Sequence, residues 1–273
     1  MSYLFDNEAY PIVTSEADII EAFSVPMTRA VILRDEETWQ RESEVFKSGI
    51  IMQDNPALGA QYRHDPSAKN DRKIAGEISY LDVISASEVL AEAQKADIIL
   101  DPAACTLFHD KMNALRGLYA RVHDAYFGAK DDETIVGHAM FTPKHGVGRS
   151  PMMHVDDVRM TLHTTFAGAT LRLLNGLTTD TLWDLMDKTK SGTLAQGQRS
   201  ANDMTLSHLT EQYSEEFSSA RLGDVILMKG QKNMDLQDPD IRDSMGVHTS
   251  SPFVSYQGQA AAILYSKKTL DIE

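Results

Sequence analysis

The chain has 273 residues, 42% of them hydrophobic, enough for one large domain, and its 26 Lys and Arg against 40 Asp and Glu leave a formal net charge of −14. Such acidity argues against sequence-independent binding to phosphate backbones, which needs clustered Lys and Arg, so no nucleic-acid partner is expected. Cys105 is the one cysteine, which excludes an intrachain disulfide and fits a reducing compartment.

The opening stretch from Met1 to Glu8 lacks the basic and apolar regions of a signal peptide, and no apolar run approaches bilayer length. Cytoplasm is therefore the expected location, with no membrane partner. Ser15 to Phe23 opens with an N-cap and early acids and predicts a helix. Thr28 to Leu33 reads as a strand, Asp35 to Lys47 as a second helix stopped by Gly49, and residues 50–75 as a surface loop. Ser87 to Lys95 predicts a third helix. Asp101 to Phe127 predicts a fourth, with Asp101 as N-cap, Pro102 at the first helical position and Gly128 as the stop. Its stripe of Leu107, Met112, Leu115, Leu118 and Val122 is expected to pack on a sheet. His109-Asp110 and His123-Asp124 lie too far apart to share a metal and read as solvated or capping residues. Residues 1–130 thus form a mainly helical layer. With no linker, low-complexity segment or repeat, residues 1–273 read as a single domain.

The second half changes character. A glycine-bearing basic loop, Pro143 to Ser150, lacks the Gly-Lys-Ser/Thr ending of a phosphate loop; Lys144 or Arg149 could meet an anion at a pocket rim, or the loop is plain surface. His154-Val-Asp156 follows. In a regular strand, residues i and i+2 share a face, so His154 and Asp156 can reach one ion while Val155 points away. The alternation of apolar Val158, Met160 and Leu162 with polar Arg159, Thr161 and His163 predicts a half-buried strand. By that parity Arg159 and His163 point away from the ligands, and Asp157 is a surface residue. Thr170 to Leu174 reads as a strand. The polar segment at about 176–219 reads either as a lid or as a surface insertion. Gly223 to Gly230 is a turn followed by a short apolar strand, and His248 stands near the end of another. Pro252 to Tyr256 and Ala261 to Tyr265 are two more strands around Gly258. Two imidazoles and one carboxylate make the facial triad that holds Fe(II) and leaves the opposite face open. His154, Asp156 and His248 are that candidate set.

On these residues the chain resembles the Fe(II)/2-oxoglutarate-dependent oxygenase superfamily over about residues 136–268. More narrowly, His154-Val-Asp156-Asp-Val158-Arg159, Leu227-Met-Lys229-Gly230 and Gly246-Val-His248-Thr-Ser250-Ser-Pro252 are similar to a family with H-V-D-x-V-R, L-x-K-G and H-x-S-P blocks in that order. The resemblance implies an α+β chain in which a double-stranded β-helix, or jelly roll, spans 136–268 behind the N-terminal helical layer. It further implies Fe(II) on His154, Asp156 and His248, and 2-oxoglutarate as co-substrate. The expected enzyme is a mononuclear non-haem iron dioxygenase acting on a small polar metabolite, an amino acid among the candidates, with hydroxylation, desaturation or cyclisation as outcome. One departure stands out: many members grip 2-oxoglutarate with an arginine after the distal histidine, whereas residues 249–266 contain no Lys or Arg. A carboxylate in a partly dry pocket still wants a charged partner. Arg172, Lys267, Arg159 and Lys229 are the alternatives, with Arg172 slightly ahead of Lys267. Two other readings stay open: a cupin-like metalloenzyme independent of 2-oxoglutarate, and a metal- or metabolite-binding protein without turnover.

Overall fold

The structure, a computed structural model, describes residues 9–54, 77–80, 84–128, 133–144, 153–175, 209–232, 244–250 and 257–268. In chain order these form β1 (Ile12–Val13), α1 (Glu16–Phe23), β2 (Ala30–Leu33), α2 (Glu36–Gly49), β3 (Ile50–Met52), β4 (Glu77–Tyr80), α3 (Ala86–Lys95), β5 (Ile98–Leu100) and α4 (Pro102–Phe127). Then come β6 (Glu133–Thr142), β7 (Met160–Gly168), β8 (Leu171–Leu174), β9 (Phe217–Ser219), β10 (Val225–Lys229), β11 (His248–Ser250) and β12 (Gln259–Lys268).

The helix ends follow local chemistry. Asp101 accepts from the Ala104 amide, with Pro102 in the first turn and Gly128 closing at φ 79°. Asp35 caps α2 through the Thr38 amide. The helix expected from Ser87 begins at Ala86 because Ser85 and Glu88 form a reciprocal capping box. At the start of the surface loop expected over residues 50–75 there is instead a strand. Ile50 to Met52 pair antiparallel with Ile98 to Leu100, and residues 55–76 lie outside the described residues.

A seven-stranded sheet in the order β1-β2-β10-β7-β12-β6-β4 forms the middle of the molecule. Only β1 and β2 pair in parallel, joined by α1 as a crossover; the other pairings are antiparallel. The N-terminal half is thus more than a helical layer, since β1, β2 and β4 complete this sheet. One sheet face carries the helices: Val31, Leu162, Leu227, Ala262 and Leu264 pack with Phe46, Phe108, Met112 and Tyr119. Phe108 and Phe166 meet edge to face at 4.8 Å, close to Phe46 and Phe141. The other face meets a three-stranded sheet, β11-β8-β9, where Ala30, Ile32, Ile226 and Met228 pack with Leu171 and Leu173. Both faces of the central sheet are therefore covered, which accounts for the unbroken apolar run in β10.

That double burial corrects the expected half-buried strand after Asp156. Every residue from Met160 to Phe166 is buried, and Thr161 and His163 lie opposite Met228 and Ile226, on the face toward the small sheet. A mixed α/β chain with one large sheet is what these residues show. No helix among the described residues is long and apolar enough to cross a membrane.

Candidate metal centre

An isolated β-bridge, the start of β11 and the approach to a bend bring the three expected ligands together. His154 and His248 form a reciprocal antiparallel bridge, His154 N donating to His248 O at 3.0 Å and His248 N to His154 O at 2.9 Å. Their rings lie 4.3 Å apart. Asp156 faces both: Oδ1 is 3.6 Å from His154 Nε2, and Oδ2 is 3.5 Å from His248 Nε2. Val155 between them is buried, in keeping with the alternation. One donor atom from each of the three residues falls within 4.8 Å of the other two, and no other such group of His, Cys, Asp and Glu occurs among the described residues.

The donor set suits a divalent transition metal. Ligand atoms bound about 2.1 Å from one ion at right angles lie about 3.0 Å apart, against a spread of up to 4.8 Å here, so the three side chains would draw together on binding. His248 is preset for that role. Its Nδ1 lies 2.9 Å from the Gly246 carbonyl, which can only accept, so Nδ1 is the donor nitrogen and Nε2, on the Asp156 side, is the one available to bind an ion. Side-chain exposure rises from 7% at His248 to 28% at Asp156, so the cluster opens toward solvent on the carboxylate side.

Backbone chemistry holds the Asp156 bend. Gly230 N donates to Arg159 O at 2.9 Å, Gln231 N to Asp156 O at 3.0 Å, and Lys232 N to Val158 O at 3.2 Å. A Cβ on Gly230 would stand 2.0 Å from the Val158 carbonyl oxygen, so the cradle accepts only glycine. Immediately beyond, Tyr119 of α4 donates to Met160 O at 2.9 Å and fixes the start of β7. Burial raises the Tyr119 phenol above its ordinary range, which keeps that donor protonated. The Leu227 to Gly230 motif contained the cradle in plain view, but nothing in its spacing named a partner so far upstream.

The basic candidates are dispersed. Arg159 pairs with Glu133 at 3.3 Å and lies 5.7 Å over the Phe127 ring. Arg172 stands opposite Thr249, one residue out of phase with the Leu173 and His248 pair; its guanidinium donates to Phe217 O at 3.2 Å and lies 5.4 Å over the Phe217 ring. Lys229 reaches toward α1, 5.8 Å over the Phe23 ring. Lys267 pairs in register with Thr134 near the end of β12; its side chain lies outside the described residues.

Other expectations fare unevenly. Asp157 is exposed, and His109 bonds exposed Asp110 at 2.8 Å, both surface roles as expected. His123 is not solvated. It is buried, 3.1 Å from Ser266 Oγ, and 3.2 Å from Glu133 Oε2 without hydrogen-bond alignment. Of the expected insertion, Phe217 to Ser219 form β9 of the small sheet, and residues 176–208 lie outside the described residues. So do residues 145–150, with Arg149, and the predicted strand at 252–256.

No protein-family model and no curated protein matches this sequence. Among the solved structures that match it, three overlay it loosely. A C-terminally truncated protein of Neurospora crassa, in apo form, is 8% identical, covers 97% of both chains and gives a TM-score of 0.38. The Fe(II)/α-ketoglutarate-dependent dioxygenase TqaL is 9% identical, over 93% of this chain and 87% of that one, with a TM-score of 0.34. An oxidoreductase of the 2OG-Fe(II) oxygenase family from Burkholderia pseudomallei is 11% identical, over 97% and 94%, with a TM-score of 0.31. The chemistry of the site stands on its own geometry.

Proposed function

We propose that this protein is a mononuclear non-haem iron oxygenase that oxidises a small polar metabolite with O₂ and 2-oxoglutarate. The observation that carries the reading is the convergence of His154, Asp156 and His248, with the His248 tautomer set by the Gly246 carbonyl. Two imidazoles and one carboxylate on one side of an ion leave the far side for other ligands, the arrangement suited to Fe(II) and O₂. Bound there, Fe(II) would supply a site where O₂ is reduced with two electrons from decarboxylating 2-oxoglutarate and two from the substrate.

This chain's own residues would orient and shield. His154 and His248 are held by their shared bridge, Asp156 by the Gly230 cradle, and the small sheet with β7 and β12 would wall the pocket in a jelly-roll manner. Arg159, Arg172 and Lys229 make the contacts described above; this reading gives the 2-oxoglutarate carboxylate to Lys267, which lies on β12 two residues beyond Tyr265, the register partner of Thr161. A charge-assisted pair contributes about 1.5–3 kcal/mol. Lys267→Met should therefore raise the 2-oxoglutarate requirement by roughly ten- to a hundredfold while changing that for the primary substrate little. Arg172→Met should leave both near wild type. The opposite ranking would move the clamp to β8.

The test is anaerobic addition of Fe(II) to the purified protein with and without 2-oxoglutarate, followed by O₂. A visible charge-transfer band only when both are present, and decarboxylation that needs O₂, is the expected result. Uptake of O₂ with Fe(II) and substrate but without 2-oxoglutarate would establish the cupin-like alternative. That alternative is favoured by the absence of Lys and Arg from residues 249–266.

A further inference from the structure

We propose that Thr161 is a positioning residue that sets how Asp156 meets the metal; the inference rests on the ligand assignment made above. Thr161 Oγ1 donates to Asp156 Oδ2 at 2.7 Å. The other carboxylate oxygen, Oδ1, faces His154. A free carboxylate can hold an ion through one oxygen or both. One whose Oδ2 already receives a short hydrogen bond has its plane fixed and one lone pair used, which favours attachment through Oδ1 alone. Attachment through one oxygen leaves a further coordination position for an incoming ligand.

The donor is well anchored. Thr161 is buried in β7 between two strands, opposite Met228 of β10 on one side and Tyr265 of β12 on the other. Its β-branched side chain has little χ1 freedom. The bend at residues 157–159, held by Gly230, Gln231 and Lys232, breaks the strand alternation between Asp156 and β7. An odd-numbered residue therefore comes round to face an even-numbered ligand. This phase change hid Thr161 from sequence parity, which placed it on the opposite side.

Co(II) titration of the apo protein, followed by visible absorption, tests the proposal on the wild type, Thr161→Ser and Thr161→Val. Valine keeps the shape and removes the donor; serine keeps the donor. Thr161→Val should bind Co(II) about 10- to 100-fold more weakly, with a spectrum altered toward higher coordination number, and Thr161→Ser should stay within about threefold of wild type. Apo melting temperatures report whether packing alone has changed. Should the valine variant not fold, Thr161→Ser against Thr161→Ala makes the same comparison of hydroxyl with no hydroxyl. Wild-type affinity and spectrum in Thr161→Val would overturn the proposal, as would a serine variant as weak as valine. Failure of the wild type to bind Co(II) would overturn the ligand assignment, and this inference with it.

Discussion

Lys229 sits where an ammonium is poorly solvated: its Nζ lies over the Phe23 ring and 3.5 Å from the Val25 carbonyl oxygen, and burial pushes its pKa down to about 8. An unfolded lysine titrates near 10.4, so between about pH 8 and 10.4 the unfolded state binds the extra proton and stability rises with pH. Below that window the folded protein carries the full cost of the buried charge. Lys229→Met should therefore melt higher than wild type at pH 7, and the gap should shrink toward pH 10. A gap constant across that range would mean that the ammonium is as well accommodated in the fold as in water. At this scale the ligands were legible because His154 and Asp156 stand two apart at a strand end. Thr161 was not, because its approach to Asp156 depends on a bend stabilised by residues far along the chain.

At the scale of elements, two glycines with opposite surroundings make a paired test. The Gly230 position has carbonyl oxygens where a Cβ would go, whereas a Cβ on Gly117, within α4, meets only the end of the flexible Arg121 side chain, at 3.2 Å. Gly117→Ala should stabilise the protein by about 0.5–1 kcal/mol through helix propensity. Gly230→Ala should force the Asp156 bend apart and lose stability and Co(II) affinity together, which denaturation and metal titration would show. Retained affinity in Gly230→Ala would mean that the cradle does not position the carboxylate. The helices were legible from short-range chemistry: Asp101, Pro102 and Gly128 mark both ends of α4. The strand β3 was not, since its partner Ile98 to Leu100 lies beyond a long intervening segment. The capping box at Ser85 and Glu88 was visible and would have moved the start of α3 by one residue.

At the scale of the molecule, the centre joins two layers that local sequence could not pair. His154 and Asp156 lead into the central sheet, and His248 belongs to the small sheet through its register with Leu173. Arg159, paired with Glu133, ties the same bend to β6 and, through Phe127, to the helical layer. Alternation predicted a strand after Asp156 with one wet face. The small sheet covers that face, so β7 is buried throughout, and this follows only from a topology in which β10 and β12 flank it. The direct test of the central claim is metal stoichiometry. Apo wild-type protein and the variants His154→Ala, Asp156→Ala and His248→Ala would be titrated anaerobically with Fe(II), with melting curves recorded in parallel. One tightly bound Fe(II) per chain in the wild type, lost in each variant while the apo variants still melt cooperatively, is the predicted result. Full iron occupancy in any one of the three variants would contradict it.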